Sequence, residues 1–229
     1  EVGTTYNLFP YVDGVGYWNE DMETFSNDLA ALAPPQYGYA NTELVEDYNY
    51  IGWMQDVDGD GEITLTDDIY YYRQLGPSGM PTITVDAQGR RFVIFASTTE
   101  TYQNDTYNYK HLWARAYDGG MWGEFVDLTN DITHIFDECI HPVLAHTSDD
   151  YIYYIYNADI TPGNGVDGDH AYQENRIYFS QLPKSDLTTG IGEGAENNKG
   201  LTVEQNYPNP VSSQTSIRVE LEAAGPLNV

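Results

Sequence analysis

Two stretches of the chain, about sixty residues apart, carry the same pattern, and this recurrence limits the fold more than any other feature. Residues 82–86 alternate and run into a turn at 87–89. Residues 91–96 form a second run and 109–117 a third. A fourth, 122–128, follows the turn Asp118-Gly119-Gly120. A period of two sends one face of each run toward a core, and the glycine-rich breaks between runs are turns. The polar stretch 98–108 reads as a loop. The pattern then restarts. Residues 142–146 match 81–85, and 153–156 match 92–95 at the same distance from their proline. Ile177-Tyr178 match Leu112-Trp113 after a longer connection. The second copy has no evident fourth run, because 183–186 lead into a stretch rich in Gly, Glu and Asn.

A four-stranded meander recurring at this scale is the signature of β-propeller blades. A β-sandwich of two similar halves is the alternative. The expected fold is therefore all-β: residues 1–187 as part of a propeller, with an inserted loop and short helix. The text before the repeat is less regular. Residues 6–12 read as a strand, 21–32 as a short helix or irregular segment ended by Pro34-Pro35, and 48–55 as a strand. The chain opens on Glu1 without a signal peptide, as expected of a processed or trimmed fragment. In the propeller reading, the strand completing the last blade, and further blades, lie upstream.

The inserted loop carries the clearest chemistry. Asp56, Asp58 and Asp60 occupy alternate positions, followed by Gly61, Glu62, Ile63, Thr64 and, at the twelfth position, Asp67. In a curling loop these carboxylates converge, and Gly61 permits the sharp turn. Glu62 would offer its backbone carbonyl, Thr64 a contact through water, and Asp67 the closing carboxylate, with Asp68 as a spare. Ile63 would be the apolar anchor beneath. Converging carboxylates repel one another unless a cation sits among them, and an all-oxygen set suits Ca2+ over zinc. An acidic surface turn without metal is the plainer alternative. The spacing resembles an EF-hand loop, and most closely the loop of dockerin modules, which also ends in Asp. Downstream, Thr66 can cap a short helix with Ile69, Tyr72 and Leu75 on one face, stopped by Gly76-Pro77. The strand upstream departs from the paired-helix form.

Residues 188–200 have the composition of a linker. Beyond them, Asn206-Tyr207-Pro208-Asn209-Pro210, a polar turn and the alternating run 215–221 resemble the opening of the C-terminal sorting domain of type IX secretion cargo. An ordinary proline-rich turn is the bland alternative. The resemblance implies that residues 201–229 form the first strands of an Ig-like sandwich. It also implies that the type IX secretion machinery is a partner. The expected location is then extracellular, or at the outer-membrane surface of a Bacteroidetes-type bacterium.

A net charge of −27 makes nucleic acid and anionic membranes poor partners and leaves cations, neutral carbohydrate or another surface protein. Cys139 is the lone cysteine, so no internal disulfide forms, and no apolar run is long enough to span a bilayer. Residues 117–122, Tyr-Asp-Gly-Gly-Met-Trp, resemble the Asp-box hairpin of sialidase-like propellers, one residue short. The resemblance raises a glycoside hydrolase as the rival to a binding or surface-display module, with Arg73, Arg115 and Arg176 the arginines available for a carboxylate. Structural ion pairs are their plainer role in so acidic a chain. A structural surface or filament component is the third possibility. His134, Cys139, His141 and His146 lie within thirteen residues and raise a zinc site, against the commoner buried thiol beside core histidines. The glycine- and aspartate-rich insertion 159–170 offers a second, weaker cation site or a solvated loop. The tyrosines at 151, 153, 154 and 156 read as core, with any exposed ones able to stack on sugar rings.

Overall fold

The computed structural model describes residues 14–26, 28–32, 42–65, 76–104 and 106–188, with the backbone of 201–203 and 219–221. The chain is all-β, and its antiparallel sheets are open. Two compact units divide at Thr189–Gly190.

The first unit holds three sheets. Strands β1 (Val15–Gly16) and β2 (Tyr50–Gly52) form a small antiparallel pair. The second sheet runs β3 (Ser78–Val85), β4 (Arg91–Gln103), β5 (Asn108–Asp118) and β6 (Met121–Trp122), with β7 (Val126–Asp127) also pairing β5. The third is a meander of β8 (Glu138–Leu144), β9 (Tyr151–Asp159) and β10 (Arg176–Pro183). A helical turn spans Leu29–Leu32, inside the region expected to be a short helix or irregular, and another spans Lys184–Asp186. The strand expected at 6–12 and the helix with Ile69, Tyr72 and Leu75 lie outside the described residues.

The repeat is carried into the backbone. The β3–β4 register breaks between Gly79 and Thr82, and the β8–β9 register breaks between Ile140 and Val143. In each bulge the residue before the proline has a positive φ: Met80 at 54° and His141 at 54°. Non-glycine residues adopt this region rarely, and a following proline pushes its neighbour toward extended geometry. The same uncommon combination at the same place marks both copies as one structural unit.

The sheets pack as successive layers. One face of the second sheet presents Val93, Phe95, Trp113 and Trp122, which meet Val15 and Ile51 of the first. Its other face presents Phe92, Ile94, Ala96, Leu112, Ala114 and Ala116. These are buried against Cys139, Ile140, Leu144, Ile152, Tyr154 and Tyr156 of the third sheet. By the repeat, Tyr153, Ile155, Ile177 and Phe179 stand where Phe92, Ile94, Leu112 and Ala114 do. They form the outer face of the third sheet, where Ile155, Ile177 and Phe179 are exposed.

Three expectations change. The loop expected at 98–108 is mostly strand: β4 continues to Gln103, β5 begins at Asn108, and only four residues turn between them. The first polar side chains of this extension, Thr98, Thr99 and Glu100, are buried because distant partners satisfy them. Ser97 pairs with Ser78, Trp113 Nε1 donates to Thr99, and Lys110 Nζ donates to Thr98 and to the Pro77 carbonyl. The fourth run, 122–128, is split into β6 and β7. Gly123 donates its amide to Ala116, and its carbonyl accepts Arg115 Nε at 2.6 Å, which turns the chain between the pieces. The strand expected at 48–55 shortens to β2, because the chain tightens around Val45, whose carbonyl accepts the amides of Tyr48, Asn49 and Tyr50. Among the described residues the third sheet has three strands.

In the second unit, Gly190–Val229, β11 (Leu201–Val203) pairs antiparallel with β12 (Val219–Leu221), Leu201 opposite Leu221.

Candidate metal centre

The acidic loop leaves β2 and winds back on itself through its own aspartates. Asp56 accepts the Gly59 amide on Oδ1 at 2.7 Å and the Gly61 amide on Oδ2 at 2.8 Å. Asp58 accepts from Asp60, and Asp60 from Glu62, at 3.2 and 2.9 Å. Each side chain thus closes a short turn on an amide two to five residues ahead. Gly59 and Gly61 take φ of 73° and 92°, the left-handed region in which a side chain would be strained. Carboxylate oxygens of Asp56, Asp58 and Asp60 come to lie within 4.8 Å of one another, and all three residues are exposed. The Gly61 amide, with smaller help from those of Gly59 and Asp60, holds the Asp56 carboxyl below its ordinary range.

A residue the sequence reading missed secures the loop from below. Glu100, near the end of β4, is 1% exposed. Its Oε1 accepts the amides of Val57 and Asp58, and its Oε2 accepts the Thr64 amide at 2.9 Å. Both limbs of the loop therefore hang on one buried carboxylate. The available signal was the run Thr98, Thr99, Thr101 and Tyr102, all residues that favour strands. Taking 98–108 as a loop concealed it.

Of the expected ligands, Asp56, Asp58 and Asp60 are brought together. Glu62 is exposed, its amide bonded to Asp60 and its carboxylate outside the gathered set; the group expected of it is the main-chain carbonyl. Asp67 and Asp68 lie outside the described residues. Ile63 does not anchor the loop: it is 37% exposed, because Glu100 supplies the attachment that an apolar residue was expected to give. The three carboxylates present hard oxygen donors of like charge to solvent, an arrangement suited to an oxygen-seeking divalent cation.

The other candidates have different roles. Cys139 is fully buried in the core, where desolvation pushes its thiol well above the ordinary value. His134 Nδ1 faces Asp137 at 3.1 Å and its Nε2 meets the Tyr156 hydroxyl at 2.8 Å. Among the described residues no zinc-type set is gathered around these groups. Arg115 is buried, bonded to Asp47, Ile51 and Gly123, with Phe125 beneath its guanidinium at 4.1 Å. Arg176 pairs with Asp137 at 2.7 Å. Arg73 lies outside the described residues. In the insertion, Asp167 and Asp169 both accept from Asn164, so they knit the loop to itself. The hairpin of residues 117–122 buries Trp122 against Tyr17 and Tyr117. No helix among the described residues is long and apolar enough to cross a membrane.

Comparison of the chain with protein-family models, with curated proteins and with solved structures returns no match.

Proposed function

We propose that this chain is a calcium-stabilised binding or surface-display module, built from propeller blades and exported by type IX secretion through its C-terminal region. The observation that carries the calcium part is the acidic loop. Three carboxylates are folded to within 4.8 Å of one another in the open, on a backbone clamped by Glu100. A cation there would relieve their repulsion and tie β2 to the end of β4, so its role is structural. The layered sheets and the repeated bulge support the propeller reading. The Asn-Tyr-Pro-Asn-Pro segment supports the export reading and the surface location.

The test is a calorimetric Ca2+ titration with a thermal melt. Binding saturated about a hundredfold above Kd stabilises by about 2.7 kcal/mol, which for a chain of this size raises Tm by roughly 5–10 °C. The shift should vanish in Asp58→Asn/Asp60→Asn. No heat and no shift in the parent protein would remove the calcium site. Export is tested separately, by deleting residues 201–229 in the producing organism and following release to the surface.

One observation favours a second reading, a structural surface component: the exposed Ile155, Ile177 and Phe179 on the outer face of the third sheet. Concentration-dependent self-association in sedimentation velocity would support it. The hydrolase alternative keeps the Trp122 hairpin, while Arg115 and Arg176 are engaged by aspartates. Turnover of a fluorogenic glycoside panel would revive it.

A further inference from the structure

The first copy of the repeat shows how its third strand is finished. Strand β5 turns the backbone of Leu112, Ala114 and Ala116 away from β4, and the chain returns to meet all three. The Leu112 carbonyl accepts the Leu128 amide at 2.8 Å, and its amide donates to Thr129 Oγ1 at 3.0 Å. Ala114 stands opposite Val126, and the Ala116 carbonyl accepts the Gly123 amide at 2.8 Å. With these partners in place, β5 is buried from Asn108 to Ala116.

The second copy has the same strand with its outer side open. Just past β10, the Lys184 amide donates to the Asp150 carbonyl at 3.0 Å, continuing the β9–β10 register in which Pro183 faces Tyr151. Bonding alternates along an antiparallel pair, so Leu182, Ser180, Tyr178 and Arg176 bond to β9. Ile177, Phe179 and Gln181 therefore turn their N–H and C=O groups outward, at the places of Leu112, Ala114 and Ala116. The other side of β9 agrees with this phase: the Tyr153 carbonyl accepts the Ala145 amide of β8 at 2.8 Å. Among the described residues no strand lies beside β10 on its outer side, and no residue of β10 is buried.

Free edges are normally blunted by charge, proline, a bulge or brevity. Strand β10 runs for eight residues in unbroken register with β9. It contains no Asp or Glu, its one cation, Arg176, is held by Asp137, and Pro183 stands only at its last position. Ile177 and Phe179 are 73% and 68% exposed.

We infer that β10 is a self-association edge, pairing antiparallel with β10 of a second copy of this chain about a two-fold axis. Centred on Phe179, the register sets that residue opposite its own counterpart and Ile177 opposite Gln181. Each outward residue of one copy then meets an outward residue of the other, donating one hydrogen bond and accepting one. The two Phe179 rings lie side by side on one face of the joined sheet. Charge selects this occupant. At −27, a second copy can approach closely only where carboxylates are absent, and β10 is such a stretch. A basic partner strand would find no carboxylate in β10 to meet, and an acidic one would be repelled by the chain as a whole. The joined edge is short, so the association is weak and reversible. Net charge opposes it, so it tightens as salt screens that charge. The edge draws nothing from the acidic loop and stands or falls independently of calcium.

The test is sedimentation velocity of the full chain in a calcium chelator, from micromolar to millimolar protein, at low and high NaCl. A monomer–dimer equilibrium that tightens with salt is expected. Gln181→Pro removes an outward amide from each copy and should weaken dimerisation about tenfold or more. Phe179→Lys brings like charges together at the axis and should do the same. Its side chain is exposed, so this variant remains informative if the proline variant does not fold. Ile155→Lys lies on the outer face one strand inward and should dimerise as the parent does. A dimer lost in Ile155→Lys would mean that faces stack, and would overturn the edge pairing. A monomer at every concentration, a dimer unchanged in Phe179→Lys, or a dimer loosened by salt would overturn it too. So would slow hydrogen exchange at Ile177, Phe179 and Gln181 in the monomer, which would show the edge already paired within one chain.

Discussion

Glu100 Oε2 accepts the Thr64 amide at 2.9 Å, across 36 positions of sequence, and its other oxygen accepts the amides at the loop's opposite limb. One buried carboxylate therefore sets the distance between the two sides of the candidate cation site. In Glu100→Gln the side-chain amide nitrogen can no longer accept, so one limb loses its partner. The expected cost is roughly 1–3 kcal/mol. Hydrogen exchange should quicken at Val57, Asp58 or Thr64 and leave β5 unchanged, and Ca2+ affinity should fall with it. Unaltered exchange at all three amides would remove Glu100 from this role.

Asp86 makes an analogous link at the other end of the unit. Burial alone would raise its carboxyl, but the hydrogen bonds from Arg90 and Lys184 outweigh burial and hold it below the ordinary range. Lys184 Nζ lies 3.2 Å away and Arg90 2.8 Å. Because the folded-state pKa is depressed, this stabilisation is full above the unfolded value of about 4 and disappears as pH falls through the folded one. Asp86→Asn should therefore cost roughly 1–3 kcal/mol near neutrality. Urea melts of parent and variant should converge in acid below the ordinary carboxylate range. A gap that stays constant with pH would contradict the ion-pair account.

The layered packing predicts unequal costs at two matched positions. Ile94 is fully buried between the second and third sheets, while its counterpart Ile155 is 44% exposed on the outer face. Ile94→Ala should destabilise by about 2–5 kcal/mol. Ile155→Ala should cost less than about 1 kcal/mol. Equal costs in dilute solution would mean that something covers the outer face.

Cys139 should behave as a core side chain. Burial, reinforced by Asp137 and Glu138 nearby, raises its thiol well above the ordinary value, so the reactive thiolate is scarce at pH 7–8. Ellman's reagent should label the native protein only as fast as it unfolds and label it fully in denaturant. Rapid native labelling would contradict its place in the core.

The sequence alone determined the features that depend on neighbours a few positions apart. Apolar alternation specified the strands of the repeat, and glycine pairs marked their turns. The Asp-x-Asp-x-Asp-Gly spacing brought three carboxylates together, because each closes its own turn on an amide two to five residues ahead. Tertiary structure decided what depends on partners tens of positions away. Thr98, Thr99 and Glu100 read as loop because they are polar, and they became buried strand because Trp113, Lys110 and the amides of the acidic loop satisfy them. Arg115 split the fourth run by bonding Gly123 while it reached Asp47. The cost of burying a polar group is set by the partner it meets, and residue type and local periodicity carry no record of that partner.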